Sequence, residues 1–352
     1  MPSDRMLEYY YAMGQDAVHL ERYDDAVSYF KKAANMGAQE AAAEICMLAY
    51  RFEMGEGVEK DETIAAQYYE VSAEYGDKDA ALHLGKLYFH GIAGSRPNMR
   101  KAKRNLEKAS DAGSGEAAEL LGRIYDEGGL GRVNAKKAFE YYLLAAERNV
   151  SNAMLMTGLF YAQGLSVSKD LTAAEMWIRK GVGAGDPDGK ATLRTFLSNG
   201  AVEYATGEAG LVDDEKAMAM AEEAEALGNR EAFLTLGEVY RTRDRRRDHG
   251  IRAFQCFTRA ASHGSAEARS ALGFCYESGM GTDADIGKAV ACYEEAAQKG
   301  VPFAMARLGY AYEMGEGVEK DEQKAMQWLI KAALRGDTGA VHTLKEDYDY
   351  TV

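Results

Sequence analysis

The sequence predicts an all-α fold, an α/α superhelical solenoid of about nine helical hairpins. Three observations predict it. The ten residues at 53–62, EMGEGVEKDE, recur unchanged at 313–322. A helix end of the form Ala-Ala-x-x-Gly, or a relative of it, closes at Gly37, Gly76, Gly113, Asn149, Gly185, Gly228, Gly264, Gly300 and Gly336, with spacings of 39, 37, 36, 36, 43, 36, 36 and 36 residues. Only 4 prolines but 37 glycines in 352 residues suit a chain of many helices with many ends. A fixed period of this size marks a repeat architecture. Each unit is too small to bury its own apolar face, so neighbours must stack. Length alone would suggest two domains. The repeats replace that reading with one solenoid over residues 1–340, followed by a short polar tail, 341–352, that contains LKEDYDY.

The last unit, 301–336, shows the elements in order. Its first helix is predicted over Pro302–Met314, where Ala304, Leu308, Gly309 and Tyr312 fall on one helical face. The turn GEGVEKD follows, with Gly315 and Gly317 free to take the positive φ that ends a helix. Asp321 is placed to cap the second helix, and Glu322 adds negative charge to its first turn. Ala325, Trp328, Leu329, Ala332 and Ala333 form the second apolar stripe, which Gly336 closes.

Inside the first helices, Gly85, Gly122, Gly158, Gly237, Gly273 and Gly309 occupy one equivalent position. A mid-helix glycine costs about 1 kcal/mol relative to alanine. Its repetition points to close approach of the partner helix. The tyrosine three residues on (Tyr88, Tyr125, Tyr161, Tyr240, Tyr276, Tyr312) is expected to pack over the gap.

The full pattern, A-x-x-x-L-G-x-x-Y-x-x-G-x-G-V-x-x-D-x-x-K-A-x-x-W-x-x-K-A-A-x-x-G, resembles the Sel1-like repeat, a relative of the tetratricopeptide repeat. The ninth unit fits it almost throughout, and the eighth fits well, without the valine or the tryptophan. The first unit, at 13–33, is closer to an ordinary tetratricopeptide unit. The sixth, 186–228, departs most: it is seven residues longer than the common 36, with Arg194 at the expected glycine position and Leu197 at the tyrosine position. Residues 199–210 read as an extended loop. A tolerated insertion and a hinge both remain open for that unit.

The resemblance implies a scaffold or adaptor that binds another protein or a peptide, with first helices lining a concave groove. In such arrays the residues six and three before the internal glycine, and one and four after it, point into the groove. Carried over by alignment, this selects Tyr50, Glu53, Phe89, Glu119, Asp126, Glu238, Phe274, Glu277, Phe303, Tyr310 and Glu313, together with Cys46, Asp79, Glu267, Ser270 and Arg241 among others. Aromatics beside carboxylates suit a partner with basic and apolar side chains. An acidic chain also places glutamate on any exposed helix face, so this reading stays beside the plainer one. A dedicated inhibitor or immunity-type protein that caps a partner is the alternative within binding.

Two basic islands interrupt the chain. One holds Arg100, Lys101 and Arg104; the other holds Arg245, Arg246 and Arg247; each lies at the turn of its unit. Solvated loops and an edge patch for an acidic partner are the two readings.

Formal charge is −14 at pH 7, which argues against nucleic acid as the main partner. No apolar run reaches the length of a membrane span. The opening residues MPSDRMLEYYYAMG do not read as a secretory signal, and 4 cysteines without a CxxC pair fit a reducing compartment, so a cytoplasmic, monomeric protein is expected. Enzyme motifs fail one by one. GTDADIGK at 281–288 has five residues between its glycines where a phosphate loop has four. SVSK at 166–169 matches Ser-x-x-Lys, but no Lys-Thr-Gly or Ser-Asp-Asn accompanies it, so a β-lactam-related hydrolase is set aside. His83 and His90 share a helical side without a third ligand. No catalytic activity, metal or cofactor is expected.

Overall fold

The structure, a computed structural model, describes residues 2–208, 210, 212–243, 247–348 and 350. Among these it holds nineteen α-helices, one short 3₁₀ turn and no strand. They fall into two compact units, residues 1–189 and 190–352. The first contains α1 (Pro2–His19), α2 (Tyr23–Asn35), α3 (Gln39–Met54), α4 (Glu62–Glu74), α5 (Lys78–His90), α6 (Met99–Asp111), α7 (Gly115–Asp126), α8 (Ala135–Glu147), α9 (Ser151–Gln163) and α10 (Leu171–Gly183). The second contains α11 (Gly189–Thr206), α12 (Asp214–Ala226), α13 (Ala232–Thr242), α14 (Arg247–Ser262), α15 (Ala266–Ser278), α16 (Ile286–Gln298), α17 (Pro302–Met314), α18 (Glu322–Ala333) and α19 (Thr338–Asp347). From α1 to α10 and from α13 to α18, each odd helix pairs with the even helix after it as a hairpin. Within each unit, neighbouring hairpins stack on alanine-rich faces.

The hairpin turn explains the repeat motif residue by residue. Gly315 takes φ +75° and ends α17. Asp321 then caps α18, accepting from the backbone N–H of Lys324 at 2.9 Å. The Asp321 N–H donates back to the carbonyl of Tyr312 at 2.9 Å, which closes the turn. The Lys324 ammonium lies 5.2 Å from the Tyr312 ring centroid. The same arrangement recurs with Asn98, Lys101 and Tyr88, with Asn134, Lys137 and Tyr125, and with Asp285, Lys288 and Tyr276. The motif lysine is therefore set by a cap and a ring of its own hairpin.

The internal glycines do mark close approach, but the motif tyrosine is not what fills the gap. A Cβ added at Gly273 would lie 2.7 Å from the Tyr293 ring, and one at Gly309 would lie 2.8 Å from Leu329 Cγ. Gly85, Gly122, Gly158 and Gly237 meet Leu106, Tyr142, Ile178 and Phe257 in the same way. The second helix supplies the packing residue, 20 or 21 residues further along the chain. The motif tyrosine instead serves the turn.

The sixth repeat is realigned by the structure. Residues 199–206 are not a loop: α11 runs through them to Thr206. Tyr204 plays the turn-closing part, accepting from the Asp213 N–H at 3.1 Å beneath the Lys216 ammonium at 4.5 Å. Counting back from Asp213, the position of the internal glycine falls to buried Ala201, not Arg194. The seven extra residues thus lie before that position and lengthen the first helix to 18 residues, against 13 in α9 or α15. Extending a helix satisfies every added backbone group, which an extended loop would leave to solvent.

Residues 341–347 also differ from the expected polar tail. Residues 338–347 are helix α19, capped by Asp337 and packed through Ala340 and Leu344, both fully buried. This helix covers the apolar face of the ninth hairpin, which a stack of hairpins would otherwise leave bare.

Candidate partner-binding site

Two clefts open between first helices of consecutive hairpins, one in each unit, and both use the same register. The cleft in the first unit has a volume of ≈ 550 Å³. Ala43, Cys46, Met47 and Tyr50 of α3 form one wall, and Asp77, Asp79 and His83, at the start of α5, form the other. The cleft in the second unit has a volume of ≈ 310 Å³. Glu267, Ser270, Ala271 and Phe274 of α15 face Val301 and Phe303 at the start of α17, with Glu238 and Arg241 of α13 at the rim. Spacings of three, four and seven residues put four side chains on one stripe of α3 and four on one stripe of α15.

The structure therefore brings Glu238, Phe274 and Phe303 into one cleft and places Tyr50 in the other. Phe303 is 45% exposed and Tyr50 is 38% exposed, large values for aromatic side chains. Arg241 pairs with Glu238 at 2.6 Å and lies 6.0 Å from the Phe274 ring centroid. Alignment alone missed Met47, Ala271, Asp77 and Val301. The i+4 member of each helical stripe, and the residue just before each first helix, were the signals available.

Most of the expected groove carboxylates are engaged inside the protein. Tyr69 Oη donates to Glu53 at 2.5 Å, and His83 Nδ1 lies 3.0 Å from the same oxygen, with its ring stacked on Tyr69. Burial pulls the Glu53 carboxyl upward, but the contacts from His83 and Tyr69 outweigh it and hold the group below its ordinary range. Tyr293 Oη donates to Glu277 at 2.6 Å, and Arg307 pairs with Glu277 from the next hairpin. Tyr142 Oη reaches Asp126 at 3.4 Å, and Asn152 donates to Glu119 at 2.6 Å. Burial, added to the carboxylate contact, pushes the Tyr69 hydroxyl well above the usual tyrosine range; burial does the same for Tyr293, with Cys275 and Cys292 nearby, and for Tyr142, with Asp126 nearby.

Other expected groove and edge residues also have contacts within the protein. Phe89 is buried, with the Arg123 guanidinium 5.1 Å from its ring centroid. Tyr310 Oη meets Thr343 Oγ1 at 3.2 Å, and Glu313 accepts from Tyr348 at 2.9 Å. Both partners belong to the α19 segment, which stands where a further hairpin would stand. Of the basic residues, Arg100 and Arg104 are exposed on α6, whereas the Lys101 ammonium lies 4.8 Å from the Tyr88 ring centroid. Arg245 and Arg246 lie outside the described residues, and Arg247 begins α14.

Cys46 is half-buried and Cys256, Cys275 and Cys292 are buried, all as free thiols. Burial, with Asp77 and Asp79 alongside, pushes the Cys46 thiol far above its usual value, which disfavours the thiolate. No group of His, Cys, Asp and Glu among the described residues is arranged to hold a metal ion. No described helix is long and apolar enough to cross a membrane.

Helical hairpins stacked in sequence order, with open clefts between their first helices, define a helical-repeat protein. The chain belongs to the Sel1 repeat family, whose model matches residues 9–37, 45–77, 78–114, 115–150, 151–186, 197–229, 236–265, 266–301 and 302–337. The sixth match begins at residue 197, in keeping with the realigned α11. Among curated proteins, the chain is similar to chitin synthase regulatory factor 1 of Schizosaccharomyces pombe, at 29% identity over 36% of this chain and 28% of the relative. It is also similar to DAP3-binding cell death enhancer 1 of Rattus norvegicus, at 29% identity over 53% of this chain and 36% of the relative. The chain thus spans about a third of the length of these relatives. Among solved structures, it is similar to a protective antigen of uropathogenic Escherichia coli displaying an SLR fold, with 22% identity, 98% of this chain and 81% of that chain covered, and a TM-score of 0.46. Sel1-repeat proteins generally mediate protein–protein interaction and are generally not enzymes.

Proposed function

We propose that this protein is an interaction scaffold or adaptor that grips an extended segment of another protein along the face formed by its first helices. The observation that carries the reading is the repetition of one cleft, on one helical register, in both units. Ala43, Cys46, Met47, Tyr50, Asp77 and Asp79 in the first correspond by position to Glu267, Ser270, Ala271, Phe274, Val301 and Phe303 in the second. A feature built twice by the same positions of the repeat follows from the repeat geometry itself. Each cleft accepts one side chain, and a segment lying across several first helices would present side chains to clefts in turn. Exposed aromatic rings supply contact area at low entropic cost, as at protein interfaces generally.

The test is partner capture by the intact chain. Phe274→Ala combined with Phe303→Ala should lower affinity for a stoichiometric partner at least tenfold while leaving the melting temperature nearly unchanged. Unaltered affinity in this double variant removes the second-unit cleft from the site.

A further inference from the structure

The two clefts share a register but not a chemistry, and the difference assigns an occupant to the first. Where the second-unit cleft has Val301 and Phe303, the first has Asp77 and Asp79. Asp77 uses one carboxylate oxygen to cap α5, accepting from the Ala80 N–H at 2.8 Å. Asp79 is exposed and forms no ion pair among the described residues. Glu56 adds a third carboxylate at the rim. The one permanent cation of the lining, Arg51, is engaged by the protein itself: its Nε donates to the Glu56 carbonyl at 3.1 Å, and its guanidinium lies 5.6 Å from the Tyr23 ring centroid. His83 is held against Glu53. The opposite wall is apolar, with Met47 65% exposed and Tyr50 38% exposed, its ring edge-on to His83.

We infer that the first-unit cleft is a pocket for one arginine side chain of the partner segment. The guanidinium stacks on Tyr50 and pairs with Asp79, Asp77 adds negative charge beside it, and the aliphatic stem lies along Met47 and Ala43. The charges decide between occupants. An apolar side chain would bury Asp79 without a partner, which is costly. An acidic or phosphorylated side chain would meet three carboxylates. Arginine offers both the planar donors that match carboxylates and a flat face that stacks on an aromatic ring. This inference rests on the scaffold reading above and adds which side chain the first cleft selects.

The experiment uses the intact chain labelled at its methionine methyls, with the Met47 signal identified by Met47→Leu. N-acetyl-arginine amide is titrated against its uncharged near-isostere, N-acetyl-citrulline amide. The expected result is a saturable shift of the Met47 methyl with the arginine amide, at least fivefold weaker in Asp79→Asn, and absent with the citrulline amide. Asp79 is exposed, so the variant should fold, and an unchanged methyl spectrum elsewhere confirms that it does. An equal shift with citrulline, no shift with arginine, or unchanged binding by Asp79→Asn overturns the assignment. The Phe274/Phe303 double variant tests the scaffold reading separately, because those residues lie in the other unit.

Discussion

Tyr293 Oη donates a 2.6 Å hydrogen bond to Glu277, joining the second helix of its hairpin to the first across 16 residues. Tyr69 and Glu53 repeat the link at 2.5 Å, and Tyr142 and Asp126 repeat it at 3.4 Å. In the two short cases the following hairpin adds a basic side chain, Arg307 or His83, to the same carboxylate. These acids lie at positions that alignment would place in a ligand groove, yet their oxygens are turned to the protein's own donors.

Removing the hydroxyl should expose the difference in geometry. Tyr293→Phe should lower the free energy of unfolding by about 1.5–3 kcal/mol, the range for a hydrogen bond to a charged group. Tyr142→Phe should cost less, because its bond is 3.4 Å long. Urea denaturation of both variants checks the order, and a larger loss in Tyr142→Phe would contradict it.

Glu53 should make stability depend on acid. Its carboxyl is held below the ordinary value of 4.5, so the folded chain binds fewer protons than the unfolded chain between the two values. The stabilisation it contributes is complete above the ordinary value and is lost as pH falls through the lower folded one. Melting temperatures measured from about pH 5 to about pH 3 should fall more steeply for the natural protein than for Glu53→Gln. Parallel slopes would show that Glu53 does not carry the effect.

Two glycine substitutions should move stability in opposite directions. Gly273→Ala places a methyl 2.7 Å from the Tyr293 ring and should destabilise by about 1–3 kcal/mol through overpacking. Gly183, at the end of α10, has no neighbour within 4 Å of an added Cβ and lacks a positive φ. Gly183→Ala should be neutral or stabilising by up to about 1 kcal/mol, because alanine restricts the unfolded chain. Thermal melts of the pair discriminate local packing from a general intolerance of substitution.

Helix α19 should behave as part of the fold and not as an appendage. Leu344 is fully buried, so Leu344→Ala should cost about 2–5 kcal/mol. A loss of under about 0.5 kcal/mol, the range of ordinary surface changes, would show that α19 does not cap the stack.

The hairpins were legible because their signals are local. The first helix of the ninth unit, the αL glycine at 315 and the cap at Asp321 all stand where periodicity and turn chemistry put them. The sixth repeat was misread because Gly200, Gly207 and Gly210 resemble loop punctuation, while the shift of seven residues shows only once Tyr204 and Asp213 are seen to close the turn. Met47 and Ala271 were missed for another reason. An i+4 residue on an apolar stripe faces core or cleft according to how the next hairpin leans, and the stripe looks the same in both cases.

The chain by itself determined the period, the two-helix unit, its glycine stops and carboxylate caps, since each depends on residues within about ten positions. Only the tertiary structure decided which carboxylates remain open to a partner. Glu277 and Asp79 are both acids on first helices, but one lies within hydrogen-bond reach of Tyr293 and Arg307 and the other faces a cleft. That distinction turns on a few ångströms between helices 16 and 30 residues apart in sequence, and on the short range over which a hydrogen bond acts.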